Sequence, residues 1–248
     1  MRRPPAAALP SPPGFVGLSV GVPPVSVSDA ELLRVLVPFG VALVGHPDGT
    51  YRRIVKRRLP ELDEWSHYLR DADNNAVSRD TRIAPPLQHL QWVGSPRWSR
   101  HHDRTSSVPA AVSAGGRLFL FVDEGPAASI LYPPEWNLVA RNAFNGTVLW
   151  KRPMGTWIST LWPLKSGPAQ VPRRLVAKGP AVYATLAIGA PVTKLDAATG
   201  ATLHTYAGTE HTDEILLDGG VLYLVLDPET PTVFPGTWIP HPKRVLAV

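Results

Sequence analysis

From residue 112 onward, apolar positions recur as strand-length runs broken by glycine turns. Three segments align without gaps: Val112-Ser113-Ala114-Gly115-Gly116-Arg117-Leu118-Phe119, Val176-Ala177-Lys178-Gly179-Pro180-Ala181-Val182-Tyr183 and Leu216-Leu217-Asp218-Gly219-Gly220-Val221-Leu222-Tyr223. In each, an aliphatic residue is followed three positions later by glycine and four after that by an aromatic ring. The pattern predicts a hairpin whose glycine takes the positive-φ turn position. The strands that follow, Leu118 to Val122, Val182 to Ile188 and Val221 to Leu226, are apolar on both faces. Strands buried between two layers read this way.

Gly115, Gly179 and Gly219 lie 64 and 40 residues apart. A four-stranded repeat unit takes roughly 40 to 45 residues. The second interval therefore fits one unit, and the first fits one unit plus an insertion of about 20 to 25 residues. The loops Glu124 to Asn137 and Met154 to Pro172 are the places for it. Inside each interval lies a second element: Ala140-Arg141-Asn142-Ala143-Phe144-Asn145-Gly146-Thr147-Val148-Leu149-Trp150, then Lys194-Leu195-Asp196-Ala197-Ala198-Thr199-Gly200-Ala201-Thr202-Leu203-His204.

These interleaved segments resemble PQQ-type (quinoprotein-like) β-propeller repeats, which carry A-x-D-x-x-x-G-x-x-x-W at the turn between the outer two strands. The first copy keeps Ala140, Gly146 and Trp150, with Asn142 for aspartate; the second keeps Asp196 and Gly200, with Lys194 for alanine and His204 for tryptophan. The resemblance implies that Trp150 wedges against a neighbouring blade and that His204 lacks that contact. The string from Leu90-Gln91-Trp92 to Asp123-Glu124-Gly125-Pro126 is similar to propeller proteins of planctomycete-type bacteria. The expected fold is mainly β. Residues 85–248 form a partial propeller of about three to four four-stranded antiparallel blades, preceded by a small α/β segment. A β-sandwich is the competing fold. The chain stops at Arg244-Val245-Leu246-Ala247-Val248 in mid-strand, which is read as a fragment of a longer protein.

Ahead of this region, residues 1–27, rich in proline, are expected to be an irregular or disordered lead. Ser28-Asp29-Ala30-Glu31 is a capping box for a helix through Leu32, Leu33, Val35 and Leu36, ended by Pro38-Phe39-Gly40. Val41 to Val44 reads as a strand, closed by the turn His46-Pro47-Asp48-Gly49. Glu31 to Val44 resembles the late part of a class I methyltransferase domain, so residues 28–57 are taken as a remnant of such a domain plus a basic linker. Val37 and Phe39 depart from that pattern, and Gly14 and Gly17 receive no cofactor role. Tyr51 to Arg58 is read as a solvated linker and residues 58–84 as a helical or irregular connector. Within the connector, Asp63 to Arg70 is a short helix or turn that packs through Trp65, Tyr68 and Leu69.

Apolar residues make up 44% of the 248 positions and charged residues 18%, which supports a packed core and excludes a mostly disordered chain. The 28 prolines and 20 glycines suit short strands and many turns. A net charge of +5 permits anionic contacts without requiring them, and no stretch reads as a specific nucleic-acid site. The absence of cysteine excludes disulfides and thiolate metal sites and leaves the compartment, periplasmic or cytoplasmic, open. The start Met1-Arg2-Arg3 lacks a clean apolar region behind it, and no apolar run spans a bilayer, so the chain is expected to be soluble.

The densest polar cluster is Arg97 to Arg104, with Arg100, His101, His102 and Asp103 at its centre. Adjacent strand residues face opposite sides, so a hydrogen-bonding cluster is expected there rather than a metal site. Asp123 and Glu124 after a buried strand are a second candidate, for acid–base work or calcium. No catalytic motif is present, and no catalytic residue is assigned. PQQ and calcium enter only as what the family resemblance implies. The leading reading is a non-catalytic propeller scaffold presenting loops to a protein or small-ligand partner. The alternatives are part of a PQQ-dependent dehydrogenase and part of a methyltransferase–propeller fusion.

Overall fold

The computed structural model describes residues 8–21, 27–82, 86, 90–95, 107–129, 132–155, 170–227 and 242–248. The chain forms two compact units, one of residues 1–62, 79–93 and 143–146, the other of 63–78, 94–142 and 147–248. Among the described residues the structure is mainly β, with four small sheets and two short helices. None of the described helices is long and apolar enough to cross a membrane.

The first unit holds a three-stranded sheet ordered β1-β2-β3, with β1 (Val16–Gly21) parallel and β3 (Tyr51–Val55) antiparallel to the central β2 (Leu36–Gly45). Helix α1 (Asp29–Val35) connects the parallel pair. Ser28 caps it, accepting the Glu31 backbone N–H at 3.2 Å, as the capping box predicts. The reciprocal half is absent: the Glu31 carboxylate accepts from the Leu9 N–H at 2.8 Å and from Arg34 instead.

Three expectations for this half of the chain change. The lead is not irregular throughout, because Val16–Gly21 pairs with β2. The helix ends before Pro38-Phe39-Gly40 is reached: extended geometry begins at Leu36, and Val37, the residue before the proline, disfavours the helical region. The Pro-Phe-Gly stretch is instead an irregularity inside β2, where Phe39 has φ 65° and the register against β1 shifts. A Cβ on Gly40 would lie 2.7 Å from the Val37 carbonyl oxygen, so only glycine fits there. The basic stretch is a linker only beyond Lys56, whose N–H still donates to the Gly40 carbonyl and whose carbonyl accepts from the Phe39 N–H. The turn at His46–Thr50 folds Tyr51–Val55 back onto β2 as an exposed edge strand, with Arg52 paired to Asp29 at 2.7 Å.

The second unit contains three antiparallel meanders. The first is β4 (Ala110–Ala114), β5 (Arg117–Asp123), β6 (Trp136–Asn142) and β7 (Val148–Pro153). After the short α2 (Gln170–Arg173) comes the second, β8 (Leu175–Lys178), β9 (Ala181–Thr185), β10 (Val192–Asp196) and β11 (Thr202–Thr205). The third is β12 (Thr212–Asp218), β13 (Val221–Leu226) and β14 (Arg244–Ala247). Each of the three glycine–aromatic segments forms the first hairpin of its sheet, with two-residue turns between Ala114 and Arg117, Lys178 and Ala181, and Asp218 and Val221. Gly115-Gly116 and Gly219-Gly220 both have positive φ, the mirror-image turn that suits twisted strands. In the middle turn only Gly179 is positive, because proline fixes the φ of residue 180.

The sheets stack through the same pair of faces each time. Val112, Phe119 and Leu138 of the first sheet pack against Leu175, Val182 and Leu195 of the second. Val176, Tyr183 and Val192 on the opposite face of the second pack against Ile215, Leu222 and Leu224 of the third. Strand β9 is therefore buried on both sides, as its sequence predicts, although it ends at Thr185 rather than Ile188. Strand β13 departs from that reading: Val221 and Tyr223 stay exposed because no described residue covers their face.

Candidate functional site

The residues singled out as chemistry divide three ways. Arg100, His101, His102 and Asp103 lie outside the described residues. Asp123 is buried at the end of β5, and its Oδ1 accepts from the Gly125 and Glu135 backbone N–H groups, both at 2.9 Å. Glu124 accepts from Asn137 Nδ2 at 3.0 Å and from Lys151 Nζ at 2.6 Å. Asp123 thus closes the β5–β6 loop, and Glu124 ties the start of that loop to β6 and β7. Among the described residues no three His, Asp or Glu side chains converge on one point.

The repeat residues form a contact that occurs twice. The Trp150 indole rests against Gly200, and its Nε1 donates to the Ala197 carbonyl at 3.1 Å. Trp92 stands in the same relation to Gly146, with Nε1 donating to the Ala143 carbonyl at 3.0 Å. Both glycines have φ 73°, and in both loops the residue at the Asn142 or Asp196 position donates its N–H to the carbonyl of the residue after glycine at 2.8 Å. Asp196 further fixes its turn by accepting from the N–H groups of Ala198 and Thr199 and from the Thr199 hydroxyl. These bonds hold the Asp196 carboxyl below its usual range, the Thr199 hydroxyl contributing most. His204, at the tryptophan position of the second copy, is exposed and meets Tyr206 edge-on at 4.6 Å.

A second arrangement was not legible from the repeats. Strands β4, β8 and β12 are the first strands and open edges of their sheets, and edge strands carry unpaired N–H groups. Ser113, Ala177 and Leu217 occupy the same position of the repeat. The Ser113 N–H donates to Trp65 O at 2.7 Å, the Ala177 N–H to Ser66 O at 2.9 Å and the Leu217 N–H to His67 Nε2 at 3.0 Å. Three equivalent edge amides are therefore satisfied by three consecutive residues, which span at most about 7 Å of chain. Trp65 N–H returns a bond to Ser113 Oγ at 2.9 Å, and Glu64 Oε1 accepts the Gly115 N–H at 2.8 Å.

This turn carries a His67–Arg70 bridge and no helix. The packing residues are His67 and Arg70, both buried, and not Tyr68, which is 40% exposed beneath the Arg173 guanidinium. A sequence signal was present for the tryptophan pair, since Trp92 precedes Gly146 by 54 residues and Trp150 precedes Gly200 by 50. For Trp65-Ser66-His67 there was none, because two of the three acceptors are backbone carbonyls.

A charged cluster ties the second sheet to the third. Buried Arg174 donates to Asp213 Oδ1 at 2.6 Å and to the Ile188 carbonyl at 2.9 Å. Lys243 Nζ lies 2.6 Å from Asp213 Oδ2 and 3.8 Å from Asp227. Burial pulls the Arg174 pKa down while Asp213 pulls it back up. Two cations facing two carboxylates leave the cluster balanced, which suits a structural clamp.

No family model matches the chain, and no curated protein does.

Proposed function

We propose that the three meanders of the second unit are successive blades of a partial PQQ-type β-propeller and that this unit works as a non-catalytic binding scaffold. The observation that carries the reading is the convergence of three equivalent edge amides on Trp65-Ser66-His67. Sheets stacked in parallel layers would spread those edges about 10 Å apart per layer. Edges that meet on one tripeptide are what radial blades around an axis produce. The Trp150–Gly200 contact supports the same reading, because it joins one sheet's last strand to the next sheet's outer turn.

The binding surface follows from the repeat. Val112, Phe119 and Leu138, like Val176, Tyr183 and Val192, are at most 7% exposed, whereas their third-sheet counterparts Tyr223 and Val245 are 42% and 68% exposed. Leu216, Tyr223, Val225 and Val245 offer an apolar sheet face to a protein partner.

The rival, a quinone-dependent dehydrogenase, is separated by assaying the purified chain with PQQ, calcium ions, a redox dye and a panel of alcohols and sugars. The scaffold reading expects no dye reduction above the protein-free control, and sustained turnover would overturn it. The parallel β1–α1–β2 unit favours a second reading for the first unit, a remnant of a methyltransferase-type α/β domain. Sequencing the gene upstream of Met1 tests it: an in-frame glycine-rich cofactor loop supports a fusion.

A further inference from the structure

Of the three equivalent edge amides, two end on backbone carbonyls, which do not titrate at ordinary pH. The third, that of Leu217, ends on an imidazole nitrogen. A backbone N–H can only donate, so Nε2 of His67 is the unprotonated nitrogen and the ring proton sits on Nδ1. Nδ1 lies 2.7 Å from Ser66 Oγ, whose hydroxyl is placed to accept that proton and to donate to Arg70 O at 3.3 Å. The ring is 2% exposed, so water does not replace the bond.

We infer that His67 is an acid-sensitive latch on the third sheet: protonation at Nε2 removes the acceptor from the Leu217 N–H and frees the β12 edge, while the β4 and β8 edges stay held. The inference concerns the bonding of His67 and stands whether or not the sheets are propeller blades.

The charges around the ring modulate the latch. On its own segment Asp71 lies 3.9 Å from Nδ1, and Asp73 stands further off; both favour the cation. From β12, Asp218 also favours it, and from β8, Lys178 opposes it. Burial outweighs them and pushes the imidazole down to about 4. The folded value is below the ordinary 6.5, so the latch is complete above about pH 6.5 and is lost as pH falls through about 4.

Hydrogen exchange read by mass spectrometry at pH 7 and pH 4.5, corrected for the intrinsic exchange rate, tests this on the intact chain. The expected result is a roughly fiftyfold loss of protection in peptides covering β12 and β13, with β4–β5 and β8–β9 peptides unchanged. In His67→Gln, whose side-chain oxygen is a neutral acceptor, the pH effect on β12–β13 disappears. Equal loss in all three hairpins, or the same β12–β13 loss in His67→Gln, would overturn the latch. Should the variant fail to fold, the comparison of the three hairpins in the wild-type chain decides alone.

Discussion

A Cβ added to Gly200 would sit 2.7 Å from Cε3 of Trp150, closer than real Cβ contacts come. The indole therefore occupies the space that every other residue's side chain would need. Gly200 is required twice, once by its φ of 73° and once by this approach. Gly219 shares only the first demand, because nothing lies within 4 Å of its Cβ position. Gly200→Ala should cost about 2–4 kcal/mol, the sum of backbone strain and overpacking, and Gly219→Ala about 1 kcal/mol. Urea unfolding of the two variants measures the difference, and equal losses would show that the tryptophan contact contributes nothing.

The buried clamp between the second and third sheets gives an asymmetric expectation. Removing Asp213 leaves Arg174 buried without its carboxylate, and a guanidinium does not neutralise to escape the cost. Asp213→Ala should destabilise by about 3–5 kcal/mol. Lys243→Ala should cost under about 1 kcal/mol, because its side chain is 37% exposed and Asp213 keeps Arg174. Thermal unfolding of both variants checks the ranking.

How much was legible in the sequence depended on whether a side chain carried the information. The three glycine hairpins and the glycines at 146 and 200 were readable because positive φ restricts residue choice, and the structure has positive φ at each. The Ser28 cap was readable because the hydroxyl itself makes the bond. Strand β1 was hidden because its residues alternate among exposed and half-buried positions, so no periodicity stands out from the proline-rich surroundings. Strand β3 was hidden by its charge: four of its five residues are exposed, and an edge strand with one wet face looks like a linker. The convergence on Trp65 and Ser66 uses backbone carbonyls, which any sequence supplies. Asp123 and Glu124 stand out because carboxylates after a buried strand are unusual; their hydrogen bonds to the Gly125 and Glu135 amides, Asn137 and Lys151 depend on tertiary neighbours that the local sequence does not show.

In the first unit, Glu31 fastens the segment before β1 to helix α1. Its carboxylate is held down to about 2, first by the Arg34 guanidinium and then by the Leu9 N–H. The folded value lies below the usual range, so the stabilisation is full above about pH 4.5 and is lost as pH falls through about 2. A carbon-detected NMR titration should place the Glu31 midpoint near 2, and Glu31→Gln should raise the exchange rate of the Leu9 amide. A midpoint in the ordinary carboxylate range would show that the Leu9 and Arg34 bonds are not kept in solution.

Two buried threonines of the second unit provide an isosteric comparison. Thr209 is fully buried; its Oγ1 accepts the Val192 N–H at 2.9 Å and donates to the Tyr206 carbonyl at 2.6 Å. Thr185 is equally buried, but its hydroxyl has no hydrogen-bond partner among the described residues. Valine matches threonine in shape and removes only the hydroxyl. At position 209 the substitution strands a buried backbone N–H and a carbonyl, and Thr209→Val should destabilise by about 2 kcal/mol. At position 185 it deletes a group that was desolvated with no return, and Thr185→Val should stabilise by about 1 kcal/mol. Denaturant midpoints of the two variants read opposite signs if the hydroxyl of Thr185 is unpaired. A loss at both positions would mean that the Thr185 hydroxyl is paired in solution, for example through a bridging water.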